Sequence, residues 1–535
     1  MNARHLTFAA ILIASGLGLL GLMADVLATG GWSFVKALIL LCFAGIVPWL
    51  GICLGHALTG FAALLRHGEP ARPVGPARLP TALAVTIRNE DMAIVLPPLR
   101  RLLDGLDGIG LPVGLFILSD TPAPATAEEE AVAAFRAADR DPARIRYRRR
   151  VENTGFKAGN VMDFMDHHAE GFDVAIMLDA DSEMSADAVR DLVAMMQADP
   201  KLGIVQHLTV GRPAAAAFPR LFQFGMRAGM RVWATGQDWW QGREGPYWGH
   251  NAALRIAPFR THCRLAPLPD GSAILSHDQV EAARLCAAGW GVKLWPREEG
   301  SQESNPPALP EYLHRDSRWL AGNLQYFALL GLPGFRPMGR WQLVQAILLF
   351  AGAPLYTAVL VLAALAAALG QTAGPIWTIA LAWTFALYSP KLLGYAQVLA
   401  DPALRARYGG AGRFAAGAAA EFVFSLTMDA IAQPHKTMAM LRLALGAKAG
   451  WLPQNRSDRG VTWTEAARMF WPHTLFGAAC FAGFALGGWP AVLWAAPFAG
   501  GLVLAVPFCV LTAAPAVSAW LRGRGVAAIP EEVEG

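Results

Sequence analysis

DVAIMLDADSEMSADAVRDLV, residues 173–193, is the stretch on which the reading of the fold turns. The apolar run VAIML ends directly in Asp179-Ala180-Asp181, and helical spacing resumes at about residue 185. A short continuous apolar run of this kind fits a strand buried on both faces, as in a parallel sheet covered by helices. Two carboxylates then arrive at the carboxyl end of that strand, where open α/β sheets bind their ligands. A divalent cation held there could bridge to a diphosphate and neutralise charge on a leaving group. Taken alone, Asp-x-Asp after a strand is more often a solvated turn and helix cap; its company changes that.

Outward from this point the same grammar repeats. Strands are expected at 83–88, 113–119, 144–148 and 203–210 besides 173–179, with helical patterns at about 93–104, 126–138, 157–168 and 185–198. This alternation predicts an α/β domain with a mainly parallel sheet. Asn89-Glu90-Asp91 follows the first strand and Ser119-Asp120 ends the second, so acidic groups gather at neighbouring strand ends, a costly cluster without a cation or hydrogen-bonding ligand. Lys157-Ala158-Gly159-Asn160 lies before another helix, with Lys157 able to meet phosphate oxygens. Helix capping is an equal alternative for each taken singly.

The flanks are different. The chain has 535 residues, 54% hydrophobic and 16% charged, with mean hydropathy +0.34, which no ordinary soluble protein shows. Apolar runs at about 7–28, 34–64, 342–369, 375–399, 468–487 and 491–516 predict six transmembrane helices, the first two too long and too close together for a cleaved signal. Lys and Arg are missing from connections 29–33 and 370–374 but present in 65–80, 401–413, 446–460 and the tail, so both termini and the soluble domain are expected to be cytoplasmic. The run 414–445 carries Glu421, Asp429, Pro434, His435 and Lys436 between basic ends and reads better as an interfacial helix or re-entrant pair than as one crossing. The expected organisation is 1–65 two transmembrane helices, 66–80 basic Pro-rich linker, 81–335 catalytic domain, 336–400 two helices, 401–467 interfacial or re-entrant helices with a possible gating loop, 468–517 two helices and 518–535 a cytoplasmic tail. Six scattered cysteines indicate neither a disulfide framework nor a zinc site, and a net charge of +4 is already explained by the positive-inside pattern, so no nucleic-acid partner is expected.

Later motifs complete the set. Ser276-His277-Asp278 opens a helical pattern, and Arg315-Asp316-Ser317-Arg318-Trp319 follows. With the acidic strand end and Asp179-x-Asp181, these resemble the family 2 glycosyltransferases. More narrowly, TIRNED, LSD, NTGFKAGN, LDADS, YWGHN, ILSHD and HRDSRW, with PHTLFG at 472–477, resemble the glucans biosynthesis glucosyltransferase H family, which makes osmoregulated periplasmic glucans. The resemblance implies an α/β GT-A type domain between helices of a multi-pass membrane protein, polymerising glucose from UDP-glucose into a β-glucan with a β-1,2 backbone and exporting it. It further implies Asn89, Glu90, Asp91 and Asp120 as uridine contacts, Lys157 and Asp179 at the diphosphate, Asp179 and Asp181 for Mg²⁺ or Mn²⁺, and Asp278 as general base. Arg318 would stabilise diphosphate, Arg315 would belong to the substrate-binding set, Trp319 would stack on the acceptor sugar, and Gly249, His250 and Asn251, near Trp239 and Trp240, would form the acceptor edge. His277 would tune Asp278 or cap its helix, the second being favoured. Implied partners are UDP-glucose, the growing glucan, membrane lipid, a periplasmic glucan-processing protein and acyl carrier protein.

Departures from the pattern are the short stretch before the first helix and the lack of the Phe-x-Val-Thr-x-Lys gating loop of cellulose synthases, for which residues 451–464 occupy a comparable place. Tyr388 and Lys391 are candidates for a polar passage, Lys391 equally for a snorkelling residue. Two other functions compete: single-sugar transfer to a polyprenyl-phosphate carrier, and a channel or carrier with a degenerate sugar-binding domain. The filled acidic positions weigh against the latter.

Overall fold

The structure, a computed structural model, describes residues 3–447 and 459–534. The apolar runs of the central region become strands β1 (Thr81–Ile87), β2 (Val113–Ser119), β3 (Ile145–Arg149) and β4 (Val174–Asp179), followed by β5 (Leu202–His207), β6 (Ala252–Arg255) and β7 (Gly291–Trp295). They form one sheet in the order β3-β2-β1-β4-β6-β5-β7, parallel throughout except for β6, which is antiparallel to both neighbours. Helices cover both faces, and the strands are buried along nearly their whole length, which is why they read as unbroken apolar runs. Thr86 pairs with Asp179 and Ile87 with Ser119, so this register brings the ends of β1, β2 and β4 to one edge. A small second sheet joins Ser301–Glu303 to Glu183–Met184 and Val210–Gly211 beside that edge.

The helices that matter for the site are α1 (Ala3–Ala28), α2 (Phe34–His67), α3 (Phe156–His167), α4 (Ala217–Gln241), α5 (Asp278–Ala287) and α6 (Leu309–Leu324). After the domain come α7 (Pro337–Ala368), α8 (Ile376–Ala400), α9 (Ala411–Ala444), α10 (Trp463–Leu486), α11 (Trp489–Val503) and α12 (Ala505–Thr512). Six of them, α1, α2, α7, α8, α9 and α10, are long and apolar enough to cross a membrane. Two differences from the sequence expectation stand out. The run 491–516 is not straight: α11 and α12 are bent by 61°. Pro507 lacks the N–H that would bond the Val503 carbonyl, and Gly500-Gly501 stiffens nothing nearby. Residues 411–444, by contrast, form one unbroken helix rather than a re-entrant pair. Its side chains meet the catalytic domain from Gly417, against Phe224 and Ala527, to Lys436, against Asp316, roughly 30 Å of helix.

Helix α4, whose mixed composition hid it in the sequence, is the plate between domain and bundle. A Cβ at Gly60 of α2 would collide with the Val232 carbonyl, one at Gly236 with the His56 carbonyl, and one at Gly394 of α8 with the Ala228 carbonyl, so backbones touch at three crossings. Its other face carries arginines. Arg227 is fully buried and pairs with Glu298 and, through Nη2 at 3.0 Å, with Glu531; Arg231 Nη1 donates to Glu298 Oε2 at 3.1 Å. Burial works against ionisation of Glu298, but the two guanidiniums hold its carboxyl below the usual range. Arg220 donates to Glu532 at 2.7 Å and to the Val526 carbonyl at 2.8 Å, which fastens the C-terminal segment.

The bundle has two distinct ends. Turns 29–33 and 370–374 meet through Gly374 N–H on Val26 O (2.7 Å) and Ser33 Oγ on Gln371 Oε1 (2.7 Å), while Arg4 and residues 526–534 lie against α4 at the domain end. Lys391 does not snorkel: its ammonium bonds Glu421 Oε1 at 2.6 Å and Ser425 Oγ at 2.5 Å, and Tyr388 donates to Asp429 at 2.6 Å, so both residues tie α8 to α9. The gating-loop candidate 451–464 lies for residues 451–458 outside the described residues.

Removing one member of a buried ion pair leaves an uncompensated charge and costs about 3–5 kcal/mol. Glu298→Ala should therefore lower stability by about that amount while Glu299→Ala, on the exposed neighbour, changes it by less than about 1 kcal/mol. Unfolding of the two variants in detergent, followed by heat or denaturant, checks this.

Candidate active site

The site assembles where β1, β2 and β4 end. Asp179 closes β4; Thr86 Oγ1 donates to its Oδ1 at 3.3 Å, its own N–H donates to Ser182 Oγ at 2.9 Å, and the Lys157 ammonium from α3 pairs with it. A side chain at Gly249, where φ is +84°, would have its Cβ 3.6 Å from both Lys157 Nζ and Asp278 Cβ. Lys157, Asp179, Gly249 and Asp278 thus surround one space, although 121 residues of sequence separate the first from the last.

Asp278 is the first residue of α5, where helix N–H groups and the dipole favour a carboxylate. The loop before it is fastened to the far end of α6. Tyr326 Oη donates to Ser276 O at 2.8 Å, Gln325 Nε2 to Ala273 O at 3.0 Å, and Leu275 N–H to Gln325 Oε1 at 2.8 Å. On α6 the Arg315 guanidinium lies 4.7 Å from the Trp319 ring centroid, and Trp319 remains 49% exposed, so one ring face is covered by cation–π contact. Arg315 Nε is buried without a hydrogen-bond partner.

Other expected residues take different positions. Asp120 accepts from Arg150 Nε and Nη2, both at 2.7 Å, and Arg150 also donates to Thr154 O and Phe156 O, ordering the approach to α3. Asn89, at φ +54°, donates its N–H to Thr121 Oγ1, and Asp91 accepts from Ala93 N–H as the cap of helix 92–108. Asn251 turns away from an acceptor edge: it is buried, with φ +49°, and donates through Nδ2 to Ser301 Oγ at 2.9 Å and Gln302 O at 3.3 Å, fixing the small sheet. His250 does face the site, its Nε2 3.5 Å from Glu303 Oε2. Trp240 belongs elsewhere, stacked on Phe8 of α1 at 4.1 Å, and Trp239 lies under Arg4. His277 is not a side-chain cap; its Nδ1 faces Glu281 Oε2 at 3.0 Å.

Sequence reasoning missed Glu303, Arg150 and Gln206. Burial pushes the Glu303 carboxyl up, His250 and Arg315 pull it down, and Asp181 and Asp179 add repulsion, which places a third acid beside the pair. Gln206 accepts from Trp248 N–H at 2.8 Å and donates to His250 O at 3.0 Å, holding the YWGHN turn. Only the Glu-Ser-x-Pro-Pro spelling at 303–307 and the arginine run at 146–150 marked the first two, and nothing marked Gln206. No group of three or more His, Cys, Asp or Glu able to hold a metal is present among the described residues. Two carboxylates suit a hard cation that keeps waters and takes its remaining ligands from a diphosphate, so Asp179 and Asp181 fit Mg²⁺ or Mn²⁺ on those terms.

The strand order, the single antiparallel strand and the carboxylate-lined edge define a GT-A type glycosyltransferase domain carried on membrane helices. Residues 174–390 match the family described as Glycosyl transferase family group 2. The glucans biosynthesis glucosyltransferase H of Rhodopseudomonas palustris (strain TIE-1) is 34% identical over 523 residues, covering 92% of this chain and 72% of that protein. The protein of the same name from Caulobacter vibrioides (strain NA1000 / CB15N) is also 34% identical, over 99% of this chain and 85% of its own. Among solved structures, a mannosyltransferase from Pyrobaculum calidifontis in complex with GDP-Man and Mn2+ aligns with TM-score 0.44 and 16% identity, covering 78% of this chain and 100% of that one. The chain belongs to the glucans biosynthesis glucosyltransferase H family and is a membrane glycosyltransferase of glucan biosynthesis.

The His277–Glu281 pair gives a pH prediction. Burial opposes charge on His277, but Glu281 and Asp278 raise it above its ordinary value; burial likewise raises Glu281 against the pull of His277. Both groups hold protons more tightly folded than unfolded. Their contribution to stability is therefore complete below the ordinary carboxylate range and lost as pH rises through the elevated values. In His277→Gln/Glu281→Gln, the decline of unfolding stability above about pH 6.5 should flatten relative to wild type, read from denaturation curves at several pH values.

Proposed function

We propose that the protein is an inverting transferase that polymerises glucose from UDP-glucose into a β-glucan, with a β-1,2 backbone, and passes it across the inner membrane. The observation that carries the reading is the shared space of Lys157, Asp179, Gly249 and Asp278, because it puts a cation, an acid for metal or diphosphate and a general base around one reacting centre. Asp278 takes the proton of the acceptor hydroxyl. The oxygen attacks the anomeric carbon from the face opposite UDP, the new glycosidic bond forms, and the old carbon–oxygen bond breaks with its electron pair leaving on UDP. A divalent cation bound at Asp179 and Asp181 would neutralise charge on that diphosphate. Lys157 adds positive charge on the same side, and Arg318 is assigned to the diphosphate as well. Asn89, Glu90, Asp91 and Asp120, at the ends of β1 and β2, are assigned to uridine; for Asp91 and Asp120 this requires the cap and the Arg150 pair to share their oxygens. The open face of Trp319 receives the acceptor sugar, with His250 at the acceptor edge.

The domain and both chain ends lie at the basic end of the bundle, which supports a cytoplasmic catalytic domain. Helix α9, in contact with α4 and α6, is assigned to the interface between domain and membrane rather than to a crossing.

Protein in vesicles with the catalytic face outward, given UDP-glucose and Mg²⁺, should release UDP, form β-1,2-linked glucan without added lipid and accumulate it inside. Excess chelator should stop turnover. Product attached only to polyprenyl phosphate would favour the lipid-carrier reaction, and glucan found only outside would end the export reading. Asp278→Asn should bind UDP-glucose within a few-fold of wild type yet transfer about 10²–10⁴ times more slowly, whereas Asp181→Ala should lose metal-dependent UDP binding. Near wild-type transfer by Asp278→Asn would assign the base to another residue.

A further inference from the structure

Helix α6 carries the acceptor motif, and what holds it comes from beyond the catalytic domain. Asp316 stands between Arg315 and Trp319, is 7% exposed, and lies 3.3 Å from Lys436 Nζ of α9. Lys436 is itself 8% exposed, and its ammonium sits 5.3 Å from the centroid of Phe350 on α7. Near the start of α6, Glu311 accepts from Arg459 at 2.7 Å, and Arg459 also binds Glu465 of α10 at 2.8 Å. At its far end α6 is joined to the loop that precedes Asp278, where a Cβ at Gly322 would collide with Ser276.

A helix fixed only at its ends remains free to rotate about its axis. Successive side chains diverge by about 100°, so a rotation of about 20° displaces a ring some 6 Å from the axis by about 2 Å. Asp316 is the point on the middle of α6 at which a charge from the membrane side restrains that rotation. Its Oδ2 has no hydrogen bond, which leaves the Lys436 ammonium as its nearby counter-charge. Trp319 and Arg315 lie one turn or less away on the same helix.

We propose that Lys436, on α9, is a positioning residue for glucosyl transfer. It holds Asp316 and so sets the angle at which Trp319 presents the acceptor hydroxyl to Asp278. Arg318, assigned above to the diphosphate, rides on the same helix, so donor affinity shifts with it; what marks the positioning role is the partition of the glucosyl group between acceptor and water. The inference rests on the glucan-synthase reading above and adds a membrane-side residue to it.

The test uses the full-length protein, UDP-glucose and Mg²⁺, with UDP release, glucan formation and glucan length measured together. Lys436→Gln should raise the KM for UDP-glucose by no more than a few-fold, lower glucosyl units transferred per UDP released by about tenfold and shorten the product, since a displacement of about 1 Å at a reacting centre costs rate steeply. Lys436→Arg, which preserves the charge, should retain most of the wild-type ratio and length. A folded Lys436→Gln protein with unchanged ratio and length overturns the proposal. A second measurement needs no substrate: Lys436→Gln and Asp316→Asn should each lower the melting temperature, and the double variant should recover most of the loss, whereas additive losses would overturn the pairing itself. Failure of the wild type to release UDP from UDP-glucose would instead count against the glucan-synthase reading, and the melting data would then decide the pairing.

Discussion

Two guanidiniums and one carboxylate in a buried seam hold this molecule in register. Arg227 and Arg231 of α4 converge on Glu298, which follows β7, and neither side could stay charged and buried without the other. Glu298 belongs to the sheet, the arginines to a helix whose opposite face touches α2 and α8 through glycines, and Glu531 brings in the C-terminal segment. The seam therefore sets the height and angle of the catalytic domain on the bundle. A hydrophobic contact would hold the same surfaces together but would tolerate sliding; a shared carboxylate with defined donors does not.

From that seam the constraint passes to the site along short connections. Glu298 lies three residues before Ser301–Glu303, whose small sheet is fastened by Asn251, and Asn251 adjoins Gly249 and His250 at the rim. On the other side, α6 is bound to α9 through Asp316 and to the Asp278 loop through Gln325 and Tyr326. Asp278 and Trp319 are thus carried by one loop and one helix in contact, and both are referenced to the long apolar helices.

The site was legible where its chemistry sits on strand ends. Asp179 closes and Asp120 follows a strand buried along its length, so their positions at one sheet edge followed from periodicity; Asp278 opens α5 after a loop, and its place beside Lys157 did not. Arg150, Glu303 and Gln206 were not legible, because each acts through a partner 30 or more residues away: Arg150 through Asp120, Glu303 through His250, Gln206 through His250 and Trp248. Asn251's partners Ser301 and Gln302 are as remote, whereas His277 faces Glu281 only four residues on, a helical spacing that the sequence did show.

By itself the sequence determined the apolar spans, the alternating domain between them and the motifs that belong to one family, because each depends on local pattern: burial period, run length and residues adjacent in the chain. Tertiary structure decided the rest. It showed that Lys391 and Tyr388 are inter-helix ties, that 411–444 is one helix lying against the domain, that 491–516 breaks at Leu504, and that α4 is the plate between the two halves. These outcomes turn on which buried charge finds which counter-charge, and the low dielectric makes that choice strict while leaving no trace in the composition of either segment alone.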